Sequence, residues 1–224
     1  MKSKVLTVLM ALVVSTAANA QFGGLGGLMG GSKGGGGGDV GAQVEAFNIE
    51  ANLINKTVAY ALIQIVAALG DKTKMADIKA VNDSLSKSTD TKEIGAITGS
   101  IIKNNAAEAQ ELLKSKDAKA KMESLSPEMQ KKVGQSIFAV GVAALRIPVA
   151  INKGKDIVSG VSSNPMNITK VIPVKDGLSL YGDVLPKLPT LVTTGFQLMR
   201  DVKVEAGNPT VEAKLSPEPA TIPD

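Results

Sequence analysis

Glu45 with Glu50, Glu108 with Glu111, and Asp201 with Glu205 are acidic pairs at helical near-neighbour spacing. Paired carboxylates are the first place to look for general acid–base chemistry. Glycoside hydrolysis needs two carboxylates opposed across a cleft, with aromatic rings to stack the sugars. The chain has two Tyr, four Phe and no Trp, so such a site is poorly supplied. The acidic pairs therefore read as solvated helix faces. Cys and His are both absent. That removes the thiolate and imidazole ligands of typical zinc, copper and haem sites. It also removes the base of Ser-His-Asp and Cys-His mechanisms. No Asp-x-Asp-x-Asp-Gly calcium loop is present, and Lys33 precedes a glycine run instead of following one, so no phosphate-cradling loop is supported. No catalytic, cofactor-binding or metal-ligating residue is assigned. Chemistry by carboxylates and lysine alone is kept as an alternative.

Two sets of polar residues sit in apolar surroundings. Asn48, Asn52 and Asn55 flank the apolar stripe of the first helix, and surface exposure is the simpler reading for them. Arg146 lies inside the most apolar stretch, Ser136–Ile151 (SIFAVGVAALRIPVAI). It must pair with a carboxylate, line a cavity or snorkel to the surface, and snorkelling beside Pro148 is expected.

The N-terminus carries an address. Lys2 and Lys4 precede an apolar run, Val5–Val14, and the small-x-small pattern Ala18-Asn19-Ala20. This is the layout of a cleavable secretory signal, residues 1–20, and its apolar run is about half what a permanent membrane span needs. The mature chain then begins at Gln21 and is periplasmic or secreted. With Lys2 and Lys4 removed, the formal net charge falls from +4 to +2. Only Arg146 and Arg200 are arginines, and aromatic residues do not interleave with the lysines. Nucleic acid is not an expected partner. An exported chain without Cys must also hold together by packing alone.

Residues 21–38 are dominated by glycine and read as a flexible leader. From Asp39, a plausible N-cap, the pattern becomes helical. Val44, Phe47, Ala51, Ile54, Val58, Ala61 and Ile65 recur at three- and four-residue spacing, and Ile49, Leu53, Leu62 and Leu69 widen the stripe. Gly70-Asp71 ends it. Met75, Ile78, Val81 (or Asn82) and Leu85 mark a second helix, and Asp90 with Glu93 resembles a capping box for a third. Lys114–Lys121 reads as that helix's end plus a turn. Ser126-Pro127-Glu128 is a start signal for a helix of some thirty residues, in which Pro148 predicts a kink or a break. Gly134 and Gly141 would let a neighbouring helix approach. Ser163-Asn164-Pro165 ends it. Further helices are expected over Ile172–Leu185 and from Pro189 to a stop at Gly207-Asn208-Pro209. Residues 208–224, rich in Pro and polar side chains, read as a disordered tail.

The expectation is an all-α protein. A bundle of five or six antiparallel helices over residues 39–207 lies between a Gly-rich leader and a Pro-rich tail. Its function reads as non-enzymatic: an interaction or structural component of the cell envelope or extracellular space, with a protein partner or a second copy. A lipid-binding or membrane-active protein is the main alternative. N-terminal sequencing of the exported chain is expected to read Gln21 first; retention of Met1–Ala20 would overturn the export reading.

Overall fold

A computed structural model describes residues 40–161, 169 and 171–223, apart from the side chain of Thr91. The signal segment, the glycine leader, the Asp39 cap and the Ser163-Asn164-Pro165 stop lie outside the described residues.

The described chain is all-α, and no strand occurs among its residues. Seven α-helices follow one another: α1 Val40–Leu69, α2 Met75–Lys87, α3 Thr91–Lys114, α4 Ala118–Ser124, α5 Pro127–Val161, α6 Ile172–Val184 and α7 Leu188–Asp201. A 3-10 turn, Lys72–Lys74, links α1 to α2. The count exceeds the expected five or six because Lys114–Lys121 is more than a turn. α3 stops at Lys114, and α4 then buries Ala118 and Met122 against the core.

The core is built around α1. Its first half buries the expected stripe of Val44, Phe47, Ala51 and Ile54. Beyond that, every residue from Thr57 to Ala67 is buried, so this half has no solvent-facing side. A helix apolar all round must be enclosed by others. α5 and α3 pack most extensively against α1, with α6, α2 and α4 completing the shell. Aliphatic side chains carry this packing: Ile54, Leu62, Ile63, Ile65, Ile102, Ile137 and Ile147 are all fully buried. Ile49, expected to widen the stripe, is 54% exposed instead. It lies on the open side of α1's N-terminal half.

The helix boundaries follow local chemistry. The Asp90 side chain accepts from the Glu93 amide at 2.8 Å and caps α3. Glu93 does not complete the box, because its carboxylate takes the Ser88 hydroxyl at 2.7 Å. Ser126 starts α5 as expected, its hydroxyl accepting from the Met129 amide at 3.3 Å. Pro148 neither breaks nor ends α5, which runs on to Val161. It sits on the exposed side of the helix, where water can meet the carbonyl it leaves without a donor.

The C-terminal third departs most from expectation. α7 ends at Asp201, before Gly207 is reached. Lys203 adopts φ 58°, and the Val204 amide donates to the Met199 carbonyl at 2.9 Å while the Lys203 amide donates to Arg200 at 3.2 Å. This is a Schellman stop with lysine in the left-handed position that glycine usually holds. The chain then crosses the helices without forming a helix or a strand. Residues 208–223 are not disordered: Leu215 is 4% exposed, and Ala213, Ala220 and Ile222 pack against the core, as do Val204 and Ala206 just before them. A second left-handed residue, Gly207 at φ 68°, brings this strap onto Phe138. Gly134 and Gly141 do admit close neighbours, but the strap supplies part of them. A Cβ on Gly141 would meet Pro209 at 2.9 Å, and one on Gly134 would meet Val204 at 3.3 Å.

A left-handed conformation is unfavourable for any residue with a Cβ. Lys203→Gly is therefore expected to stabilise the fold by about 0.5–1 kcal/mol, read as a higher urea midpoint. A lower midpoint would mean that the lysine charge at the helix C-terminus outweighs the backbone strain.

Candidate functional site

The most elaborate polar arrangement in the described chain is the set of side chains that grips the strap. Arg146 is only 8% exposed, so the expected snorkelling to the surface does not occur. Its Nε donates to the Val211 carbonyl at 3.0 Å and its Nη2 to the Ala213 carbonyl at 2.8 Å. The strap turns here, with the Ala213 amide donating to Thr210 at 3.2 Å. An extended segment has main-chain carbonyls that no helix claims, and these supply the acceptors a buried guanidinium needs.

After the turn the strap runs back between α1 and α5 and reaches α2. Gln64 of α1 meets Thr221 with both ends of its amide: Nε2 donates to the carbonyl at 3.0 Å, and Oε1 accepts from the N–H at 2.7 Å. Asn82 of α2 does the same to Ala220, at 3.2 Å and 2.9 Å. Two neighbouring residues are thus read from two helices through main chain alone, while Gln64 Nε2 also donates to the Met129 sulfur of α5 at 3.2 Å. Gln64 and Asn82 are 3% and 6% exposed, and unpaired amides at such depth would be costly. Beside the strap a groove of about 230 Å³ stays open, walled by Tyr60, Gln64, Ser136, Phe138, Lys132 and Lys214 among others.

Neither amide was singled out from the sequence as a ligand. Val81 or Asn82 was expected on the α2 stripe, and the buried one is Asn82, with Val81 39% exposed. Gln64 lies inside the apolar stretch Thr57–Leu69. A long amide amid eight or more buried aliphatic side chains must be bonded to something, and that was the available signal. Asn55 also departs from expectation, being 5% exposed, whereas Asn48 and Asn52 are half-buried.

The acidic pairs do not form opposed carboxylates. Glu45 is exposed, while Glu50 pairs with Lys153 of α5 at 2.8 Å. Glu108 pairs with Lys74 at 2.8 Å, and Glu111 is exposed. Asp201 accepts from Gln197 at 2.7 Å, and Glu205 is exposed. Among the described residues no cluster of three acidic side chains is placed to hold a metal ion.

Near Glu50 lies the most strongly perturbed group among the described residues. Tyr181 of α6 is 1% exposed, and its hydroxyl has no hydrogen-bond partner; Oε1 of Glu50 also lacks one. Burial pushes the Tyr181 phenol far above its usual range, and the Glu50 charge adds to the effect. Burial also raises the phenol of Tyr60. Tyr181 sits in the core without a hydrogen-bonding partner, whereas Tyr60 lies on the wall of the groove beside the strap.

Comparison with known protein families, with characterised proteins and with solved structures finds no match. What the chain does must be argued from its own residues.

The Tyr181 hydroxyl yields a pH dependence. Unfolded phenols ionise near pH ~10, but the buried one keeps its proton. Above about pH 10 the unfolded chain therefore holds fewer protons than the folded one, and stability falls as pH rises. Tyr181→Phe is expected to flatten that decline and to change stability at neutral pH by no more than about 1 kcal/mol, since an orphan hydroxyl is removed. Urea midpoints at about pH 8 and about pH 11 check both; an unchanged alkaline decline would count against the assignment.

Proposed function

We propose that this chain is an exported, non-enzymatic helical protein that serves as an interaction or structural component of the cell envelope or extracellular space. The observation that carries the reading is the strap. Three buried side chains from three helices make six hydrogen bonds to the main chain of one non-helical segment, and Gln64 adds one to the Met129 sulfur at 3.2 Å. Amide and guanidinium groups that pair with backbone N–H and C=O are the chemistry of holding a peptide. Catalysis would instead ask for a nucleophile or base facing open space, and the half-buried Glu50 and Lys153 are committed to each other at 2.8 Å.

A specific observation favours a second reading, a lipid-binding protein. α1 and α5 each contain an apolar stretch long enough to cross a membrane, and 78% of the first but only 50% of the second is buried. Leu145 on α5 is 43% exposed. Arg146 and Pro148 within the same stretch weigh against insertion, since a central Arg is costly in a bilayer by about 2.5–3.5 kcal/mol.

The mature chain, with and without residues 22–38, is cross-linked in cell-envelope fractions and recovered. A stoichiometric protein partner, or the chain linked to itself, is the expected result. A monodisperse monomer that captures nothing and instead floats with liposomes would replace this reading with the lipid one.

A further inference from the structure

The strap and its groove have the properties of a ligand and a receptor joined by a hinge. On the receptor side, Gln64, Asn82 and Arg146 recognise backbone, while apolar fit supplies selectivity. Leu215 is buried, and Pro209 fills the notch that only a glycine at position 141 leaves. On the ligand side, the segment that satisfies all of these contacts is this chain's own C-terminus. Resting on the interaction reading above, we infer that the groove between α1, α2 and α5 takes the 209–223 strap of a second copy, so that two chains exchange C-terminal segments.

A symmetry argument and two observations carry the inference. First, any contact made within one chain can be made between two identical chains, and mutual exchange closes a two-fold dimer with no groove left empty. Second, the segment joining α7 to the strap holds two left-handed residues, Lys203 and Gly207, within five positions. The lysine is strained there, and swinging it to an extended conformation relieves the strain while straightening the chain away from its own groove. Third, the strap has reach. The six residues from 203 to 208 that join it to α7 span about 20 Å when extended. The hinge carries no helix or strand that exchange would have to melt, since residues 203–210 form neither.

Lys132 of α5 and Lys214 of the strap line the same groove, which gives a direct readout. Full-length chains of natural isotope content and chains labelled with nitrogen-15 are mixed in equal amounts, unfolded, refolded together and treated with an amine cross-linker. Exchange predicts that about half of the Lys132–Lys214 links join a light peptide to a heavy one, as random pairing of two copies requires. The mixed fraction is expected to rise with protein concentration. Leu215→Asp, which takes an apolar anchor out of the groove, is expected to reduce the mixed links at least about fivefold. Lys203→Gly, which relieves the strain in the closed form, is expected to reduce them as well. Mixed links that persist in Leu215→Asp would come from another dimer surface and overturn the proposal. Links that are all-light or all-heavy at every concentration would overturn it too. In that case an envelope partner recovered by the cross-linking above leaves the interaction reading standing, whereas the loss of both removes both.

Discussion

From Thr57 to Ala67, α1 has no side open to water, and the remainder of the molecule is arranged to satisfy that condition. A helix enclosed on all sides needs neighbours on all sides, which explains why α5, α3, α6, α2 and α4 each lie against it. It also forbids loose polar groups. Thr57 resolves its hydroxyl locally, donating to the Leu53 carbonyl at 2.7 Å. Gln64 is too long for that solution, and the helix offers its amide no partner. The strap brings one in Thr221. The enclosure of α1 and the ordering of the C-terminus are thus one problem with a common answer.

The strap in turn explains the polar residues of the other helices. An extended segment laid on helices has no ladder for its N–H and C=O groups, and burying them unpaired is unfavourable. Arg146, Asn82 and Gln64 act as substitutes for a neighbouring strand. The arrangement binds backbone and leaves sequence to be read by Leu215 and Pro209. This division of labour, main chain for affinity and pockets for selectivity, is that of strand-addition recognition on a sheet edge, here performed by side chains of helices. The half-buried Glu50–Lys153 pair and the orphan Tyr181 hydroxyl stand apart from it. They link α1, α5 and α6 and have the character of tolerated core polarity.

Much of this was legible in advance, and the gaps have definable causes. The stripes of α1 and α5, the Asp90 cap and the Ser126-Pro127 start follow from spacing and from hydrogen-bonding rules that act within a few residues. The break offered for Pro148 does not occur, because on the exposed side of the helix it is tolerated inside α5. Residues 208–223 misled because Pro-rich polar composition measures how little a segment can bury by itself. It does not measure what a preformed groove can supply. Arg146 misled for the same reason, as its partners are carbonyls sixty-five and sixty-seven positions away.

The amino-acid order by itself determined that this is a helical protein, where most of its helices run and which faces they bury. Periodicity, capping and helix-stopping residues are short-range effects and leave their mark in the local pattern. It also determined the reagents missing from the whole chain, since Cys and His are absent wherever it folds. Only the tertiary structure decided that the C-terminus is a strap and that Gln64, Asn82 and Arg146 are its ligands. Those bonds span 65 to 157 positions, and each side chain needs the strap as much as the strap needs it. Such mutual dependence has no periodicity to read, and it exists only once the helices have placed both sides within hydrogen-bonding distance of each other.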